Sequence, residues 1–180
     1  VADFLFSRGM TKVIVNNGGD IAVRLMAPNS VRVGLREDVE TEVISRVISL
    51  MPSPESAHAS FGIATSGLGG RSLTCGIASA ATVIAKTASL ADAAATAVAN
   101  ASFVDHPGVV RQPAETIDPQ TDIPGIPVTV QVQDLDPEIR MEAILRSLAL
   151  AEKLVNQGTI LGAMVVVDGE CGMTSFLENH

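Results

Sequence analysis

The stretch TCGIASAATVIAKTASLADAAATAVANAS (residues 74–102) decides the fold of this chain, because small apolar residues occupy most of it. Alanine has the highest intrinsic helix propensity, and faces made of alanine let helices approach their neighbours closely. We therefore predict small-residue helix over residues 74–102, divided into two helices near TASLAD. Within SLADAAATAVAN (residues 89–100), Asp92 and Thr96 then lie on one face of a helix, one turn apart.

This pair of polar residues has two interpretations. A carboxylate and a hydroxyl are hard oxygen ligands of the kind that suit Mg2+, which keeps several waters and is shared with substrate phosphates. Alternatively, Asp92 is an acidic residue near a helix start, and Thr96 bonds back to a carbonyl four residues earlier. The pair alone does not decide between a metal site and ordinary helix chemistry.

The rest of the chain predicts strands and helices in a mixed order. We expect helices over residues 1–9 and 136–158, and strands over residues 11–17, 20–26, 30–35, 61–67, 127–132 and 160–167. The strands over 20–26 and 30–35 flank Ala-Pro-Asn, which favours a hairpin, whereas residues 39–51 fit a helix or a strand. Residues 51–60 form a proline-punctuated loop, and residues 104–127, with five of the nine prolines, form a long loop or strap. This order predicts an α+β fold with an antiparallel or mixed sheet covered on one face.

Length and composition exclude several classes of protein. A chain of 180 residues with 47% hydrophobic residues predicts one domain with an ample core. The net charge of −8 argues against non-specific nucleic-acid binding, and no uncharged stretch approaches the ~20 residues that span a membrane. Two cysteines in no metal or redox motif favour a reduced, cytoplasmic setting. Because the chain starts at Val1 inside a helical pattern, we expect an N-terminal portion of the native chain to be missing.

Two glycine-rich stretches contain the residue types of a ligand site. In VNNGGDIAV (residues 15–23), Gly18 and Gly19 follow a buried strand and allow a left-handed backbone, and Asp20 adds an acceptor. Alone, this stretch also fits a simple hairpin turn.

The second stretch, IATSGLGGRSLT (residues 63–74), follows a strand and precedes the predicted helix start. Hydroxyl groups, backbone amides and a guanidinium suited to an anion such as pyrophosphate come from Thr65, Ser66, Gly67, Gly69, Gly70 and Arg71. A flexible strand-to-helix connection explains the same residues equally well. A dinucleotide fingerprint is excluded by its spacing, because Ser72 stands where the third glycine is needed. Walker, nucleophile-elbow and zinc spacings are also missing.

The order NNGGDI, VRVGL, ATSG and ADAAATA resembles the ApbE-type FAD:protein FMN transferases and, more closely, a smaller prokaryotic family related to them. The resemblance covers roughly residues 1–100. It implies a T-fold-related α+β fold, with Mg2+ held by Asp92 and Thr96. It also implies a flavin nucleotide pocket lined by Gly18, Gly19, Asp20, Thr65 and Ser66.

The chain departs from the transferases in one respect that bears on activity. It has no counterpart of their H-I-I-D-P-x-T-G stretch, and it has no Tyr or Trp to stack on a flavin ring. We therefore carry three hypotheses: a protein that binds FAD, FMN or a related phosphorylated ligand with Mg2+, a non-catalytic homo-oligomeric scaffold, and an oxidoreductase holding flavin. If the first is an enzyme, the reaction is metal-assisted transfer or hydrolysis at a pyrophosphate, with Arg71 assisting and Asp20 as the candidate that activates the nucleophile.

Overall fold

The computed structural model describes residues 1–36, 43–70 and 72–178. The elements in chain order are α1 (Ala2–Ser7), β1 (Lys12–Asn17), β2 (Asp20–Met26), β3 (Val31–Leu35), β4 (Arg46–Leu50), β5 (His58–Ser66), β6 (Ala80–Ala85), α2 (Ala88–Ala101), β7 (Val109–Pro113), α3 (Ala114–Ile117), β8 (Pro127–Val132), α4 (Pro137–Asn156), β9 (Ile160–Val167), β10 (Glu170–Met173) and α5 (Ser175–Glu178). The main sheet has six strands in the order β1-β2-β5-β6-β9-β10, and each neighbouring pair is antiparallel. The predicted α+β class with an antiparallel sheet is confirmed.

Both faces of this sheet are covered, whereas the sequence predicted a covering on one face, because apolar side chains point from the strands to both sides. Helices α2 and α4 pack on one face, where they bury the side chains of Ala81, Val83 and Val165. The antiparallel pair β3–β4, together with α5, covers the other face and buries Val23 and Leu25. We call these the helix face and the ribbon face. A second small sheet pairs β7 with β8, which was predicted as a strand; β7 and α3 lie in the region predicted as a loop or strap, so that prediction is only partly right.

Residues 74–102 contain a strand followed by a helix, not the two helices that the sequence predicted. Residues 80–85 form β6 between β5 and β9, with every residue buried, while α2 follows as predicted. Thr87 is the N-cap of α2, and its hydroxyl accepts a hydrogen bond from the Leu90 amide at 3.3 Å. A short apolar run buried on both sides has no period that separates strand from helix, which is why the prediction of helix failed here.

The predicted hairpin of residues 20–26 and 30–35 is also wrong, although both strands exist. Strand β2 pairs with β1 and β5, whereas β3 pairs with β4 in a separate sheet. The reason is burial: Val23 and Leu25 point to the ribbon face, and the chain crosses over that face to cover them. The ambiguous residues 39–51 include strand β4 at Arg46–Leu50, while residues 37–42 lie outside the described part of the chain.

The remaining elements agree with the sequence. Strands β1, β5, β8 and β9 and helices α1 and α4 occur where the pattern predicts them, within a few residues at each end. In α4, Ile144 and Ala151 are buried against the sheet, on one apolar side of the helix. Among the described helices, none has the combination of length and apolar character that crossing a bilayer requires.

Candidate functional site

A polar cleft of about 590 Å³ opens at one end of the main sheet. Its lining comes from the β1–β2 turn, the residue after β3, the end of β5, the bend after β5, the start of β6 and one residue of α2. We call it the glycine cleft; it is lined by Asn17, Gly18, Gly19, Asp20, Arg36, Thr65, Ser66, Gly69, Gly70, Ser72, Ser79, Ala80 and Asp92. Both glycine-rich stretches and one of the two predicted metal ligands therefore meet in one cavity.

The β1–β2 turn places Asp20 at the edge of this cleft. Gly18 and Gly19 have φ of 67° and 115°, a backbone conformation that L side chains rarely adopt. The Asn16 side-chain oxygen accepts a hydrogen bond from the Gly19 amide at 2.9 Å, which fixes the turn. The register that pairs Ile21 with Ile63 then brings Asp20 beside the end of β5.

The bend after β5 is held by backbone hydrogen bonds, which corrects one prediction. The amides of Gly69 and Gly70 donate to the carbonyls of Ser79 (3.0 Å) and Gly67 (3.0 Å), so they are not bare donors for an anion. Gly67 has φ of 134° and does not line the cleft, since it packs against the carbonyls of Ala78 and Ser79. No helix starts after this bend, because the following residues lead into β6; the expected helix N-terminus is absent from the described part of this region.

The hydroxyl groups at the end of β5 remain usable for binding. The Thr65 and Thr82 hydroxyl oxygens lie 2.8 Å apart and share one hydrogen bond. A hydroxyl has one donor and two acceptor sites, so Thr65 keeps further capacity toward the cleft. Ser66 is only 8% exposed, yet it lines the same cavity.

The predicted metal pair is not brought to the cleft as a pair. Asp92 is exposed and lines the cleft, whereas Thr96 is half-buried and lies outside the lining. One helical turn is ~5.4 Å, and that step along α2 is enough to separate the two positions. Within residues 1–36, 43–70 and 72–178, no three His, Cys, Asp or Glu side chains are grouped as a metal site. A cation in this cleft would therefore rely on Asp92 and Asp20, hydroxyl oxygens and its own ligand.

Sequence reasoning missed Arg36, which supplies a guanidinium to the cleft. Arg36 follows β3, a strand of the ribbon, so no local motif links it to the glycine-rich stretches. It is the one Arg or Lys in the described lining. Arg71, the cation that the sequence favoured, lies outside the described residues.

Comparisons with known proteins match this chain to one family model and to several curated relatives. A family model described as AbpE bacteria matches residues 1–173. The chain is 39% identical over 116 residues to a UPF0280 protein of Methanoregula boonei, and this aligned region covers 64% of this chain and 45% of the relative. It is 42% identical over 103 residues to a UPF0280 protein of Methanopyrus kandleri, covering 57% and 39% of the two chains. A UPF0280 protein of Methanocaldococcus jannaschii is 36% identical over 121 residues, which cover 66% of this chain and 48% of that protein. The chain thus spans less than half the length of these curated relatives.

Proposed function

The chain belongs to the family described as AbpE bacteria, and we propose that its glycine cleft binds a phosphorylated nucleotide together with Mg2+, with FAD as the first ligand to test. One observation carries the proposal: the two glycine-rich stretches and Asp92, far apart in sequence, line a single cavity. Its volume of about 590 Å³ lies within the range of ~300–1,000 Å³ typical of small-molecule sites.

The charges of the cleft favour a cation as the companion of a phosphate ligand. Asp20 and Asp92 contribute two carboxylates, and Arg36 contributes one guanidinium. A pyrophosphate beside two carboxylates meets like-charge repulsion, which at ~4 Å and an effective dielectric constant of ~20 is of the order of 4 kcal/mol per pair of charges. Mg2+ suits such a place, because it is bound through one or two carboxylates plus substrate phosphates and keeps several waters.

The donor set fits Mg2+ and a phosphate. Asp92 would hold the metal, with Asp20 as the second carboxylate of the cleft, in place of Thr96. When bound, Mg2+ would neutralise charge on the phosphate oxygens. Arg36 and the hydroxyls of Thr65 and Ser66 would donate to phosphate oxygens, so Arg36 takes the part first assigned to Arg71. No aromatic side chain belongs to the described lining, so the proposal concerns the phosphate portion of the ligand and not ring stacking.

Calorimetric titration with FAD, with and without Mg2+, tests this proposal. We expect affinity that depends on Mg2+, and a loss of at least about tenfold in Asp92→Asn, equivalent to ~1.4 kcal/mol. Asp105→Asn, in an exposed loop away from the cleft, is the matched control and should bind like the unaltered chain. FAD binding that ignores Mg2+, or is unchanged in Asp92→Asn, contradicts the metal assignment. A chain that neither binds FAD nor melts at a higher temperature with FAD and Mg2+ contradicts the flavin assignment.

Product analysis separates an enzyme from a binding protein. Hydrolysis adds water across the pyrophosphate of FAD and yields FMN and AMP, which chromatography resolves. Asp20→Asn should lower that release by a larger factor than it weakens FAD binding, if Asp20 activates the attacking water as well as facing the metal. FAD that binds and stays intact would instead favour a redox carrier or a binding protein.

A second candidate function is a non-catalytic homo-oligomeric scaffold. Its supporting observation is the outer side of α4, where Met141 is 47% exposed and Leu145 58% exposed beside a groove of about 730 Å³. Light scattering after size exclusion tests it: we expect a dimer or larger species that Leu145→Glu converts to monomer. A monomer at all concentrations rejects the scaffold.

A further inference from the structure

A further cavity, of about 410 Å³, lies at the opposite end of β5 from the glycine cleft. We call it the β5-edge pocket; it is lined by Ser49, Leu50, Met51, Ser53, Ser56, His58, Ala59, Ser60, Phe61, Lys86, Leu161 and Phe176. Neither the sequence motifs nor the proposed function uses these residues.

The pocket exists because β5 is longer than its neighbour β6. The last pair in their ladder joins Gly62 to Ala85, and the chain then leaves the sheet at Lys86 to enter α2. Residues 58–61 therefore pair with β2 on one side and have no described strand on the other. An unpaired strand edge presents backbone amides and carbonyls, here beside an open cavity.

The walls and rim of the pocket have distinct chemistry. Phe61, Phe176 and Leu161 provide apolar walls, and two of the five phenylalanines of this aromatic-poor chain meet here. Lys86 provides a positive charge, and His58 adds a nitrogen donor or acceptor. The described lining contains no Asp or Glu, although the whole chain has a net charge of −8. A cationic rim above an apolar wall is thus an exception on an acidic protein.

We propose that the β5-edge pocket binds a small organic anion with an apolar body. Ligand sites are mostly apolar cavities with a few placed polar groups, and the pocket volume falls in the usual range. The apolar body would contact Phe61 and Leu161, and the anionic group would pair with the Lys86 ammonium. This pairing is selective, because a cation of the same shape would meet Lys86 with a like charge.

The pocket is separate from the glycine cleft. The nearest lining residues of the two cavities along β5 are Phe61 and Thr65, four residue steps apart, which at ~3.3 Å per residue span roughly 13 Å. The two cavities share no lining residue, so this proposal does not depend on nucleotide binding in the cleft.

Chemical-shift mapping of the isotope-labelled chain tests the proposal with a matched pair of probes. We expect naphthalene-2-sulfonate to shift the amide signals of residues 58–61, Lys86 and Leu161, and to leave residues 17–20 unchanged. We expect 2-naphthylmethylammonium, with the same ring and the opposite charge, to bind at least about tenfold more weakly. This comparison uses only the unaltered protein.

Two substitutions sharpen the test. Lys86→Glu should weaken naphthalene-2-sulfonate at least about tenfold, whereas Lys86→Arg should retain the binding. Lys153→Glu, on an exposed position of α4, makes the same change in net charge and should have no effect. Lys86 is exposed and precedes the N-cap of α2, where a glutamate is compatible with the helix dipole, so the variant should fold.

Three outcomes overturn the proposal. The first is equal affinity for the two probes, and the second is a set of shifts in the glycine cleft in place of the pocket. The third is unchanged sulfonate binding in folded Lys86→Glu.

Discussion

The two faces of the main sheet achieve burial in opposite ways. On the helix face, alanines such as Ala81, Ala95 and Ala163 fill the layer between α2 and the sheet. On the ribbon face, the buried side chains are larger, as at Leu25 and Ile48. On the helix face, small side chains let the helix backbone lie close to the sheet. On the ribbon face, larger side chains fill the space between the two layers.

The close approach of α2 is visible at two glycines. A Cβ on Gly62 would overlap the carbonyl group of Thr87, and one on Gly76 would overlap the carbonyl oxygen of Ala99. Both ends of α2 therefore rest directly on neighbouring backbone. This contact keeps α2, and with it Asp92, against the sheet beside the glycine cleft. The packing of the helix face therefore requires that Gly62 and Gly76 have no side chain. The packing of the ribbon face requires large buried side chains such as Leu25 and Ile48.

Adding one carbon to the helix face should have the largest effect. Gly62→Ala should lower the free energy of unfolding by more than about 3 kcal/mol, because two stretches of backbone must separate. Denaturant unfolding measures the loss. Gly34→Ala is the matched control on the ribbon, since its Cβ would meet only the flexible Ile44 side chain, at 2.9 Å, and should cost less than about 1 kcal/mol. Equal losses at the two glycines would contradict the contrast between the faces.

Removing one hydroxyl from the helix face should come next. The buried Ser102 hydroxyl accepts hydrogen bonds from the amides of Ile77 and Ala78, both at 2.8 Å, and donates to the Ala99 carbonyl at 2.6 Å. Ser102→Ala should cost about 2–3 kcal/mol, because two amides lose their acceptor. Thermal and denaturant unfolding report the change.

Ser147→Ala serves as the control for that substitution. The Ser147 hydroxyl is equally buried but only donates, to the Val98 carbonyl at 2.8 Å, so its loss leaves no amide unpaired. We expect a cost of about 1 kcal/mol. A Ser147→Ala variant as unstable as Ser102→Ala would refute this account.

Removing one carbon from the ribbon face should have a moderate effect. Ile48→Val should cost about 1 kcal/mol, the usual value for one buried methyl group. Val47→Ala removes two carbons from the outward side of the same strand, at a residue 40% exposed, and should cost less than about 0.5 kcal/mol. Comparing their unfolding midpoints checks that burial, and not the number of atoms, sets the cost. A larger loss of stability in Val47→Ala than in Ile48→Val would show that the buried side of the ribbon does not contribute to core packing.

The smallest effect is expected where α1 meets β2. The Arg24 guanidinium donates to the Asp3 carboxylate at 2.6 Å, and this hydrogen bond and charge lower the pKa of Asp3 below its ordinary value. A lowered folded-state pKa means that the pair stabilises the fold above the ordinary pKa of an aspartate, and that this contribution is lost as pH falls through the folded value. The change in stability should be small, because Asp3 is exposed.

An NMR titration of Asp3 measures this effect directly. Arg24→Gln should raise the Asp3 pKa toward its ordinary value, whereas Arg32→Gln, an exposed residue of β3, should leave it unchanged. An Asp3 pKa that is the same in both variants would place its cause elsewhere.

Local patterns predicted the parts of the fold whose signals are local. Helix α4 has an apolar stripe, a proline at its first turn and Gly158 after its end, and these features require no partner to be recognised. The β1–β2 turn was predicted for the same reason, since two glycines with positive φ follow a strand. Strand β6 was not, because Ala80–Ala85 is apolar apart from Thr82 and shows no alternating pattern, and only the space between β5 and β9 makes it a strand.

For the candidate site, the sequence by itself determined which residues could bind an anion or a cation: the glycine turns, the hydroxyls at the end of β5, and Asp92. Only the tertiary structure decided which of them share a cavity. It brought Arg36 in from the ribbon, left Thr96 outside the lining, and paired the amides of Gly69 and Gly70 with carbonyls of the chain. The physical reason is range: dihedral preferences and side-chain chemistry belong to single residues, whereas proximity and hydrogen-bond partners depend on how distant segments pack.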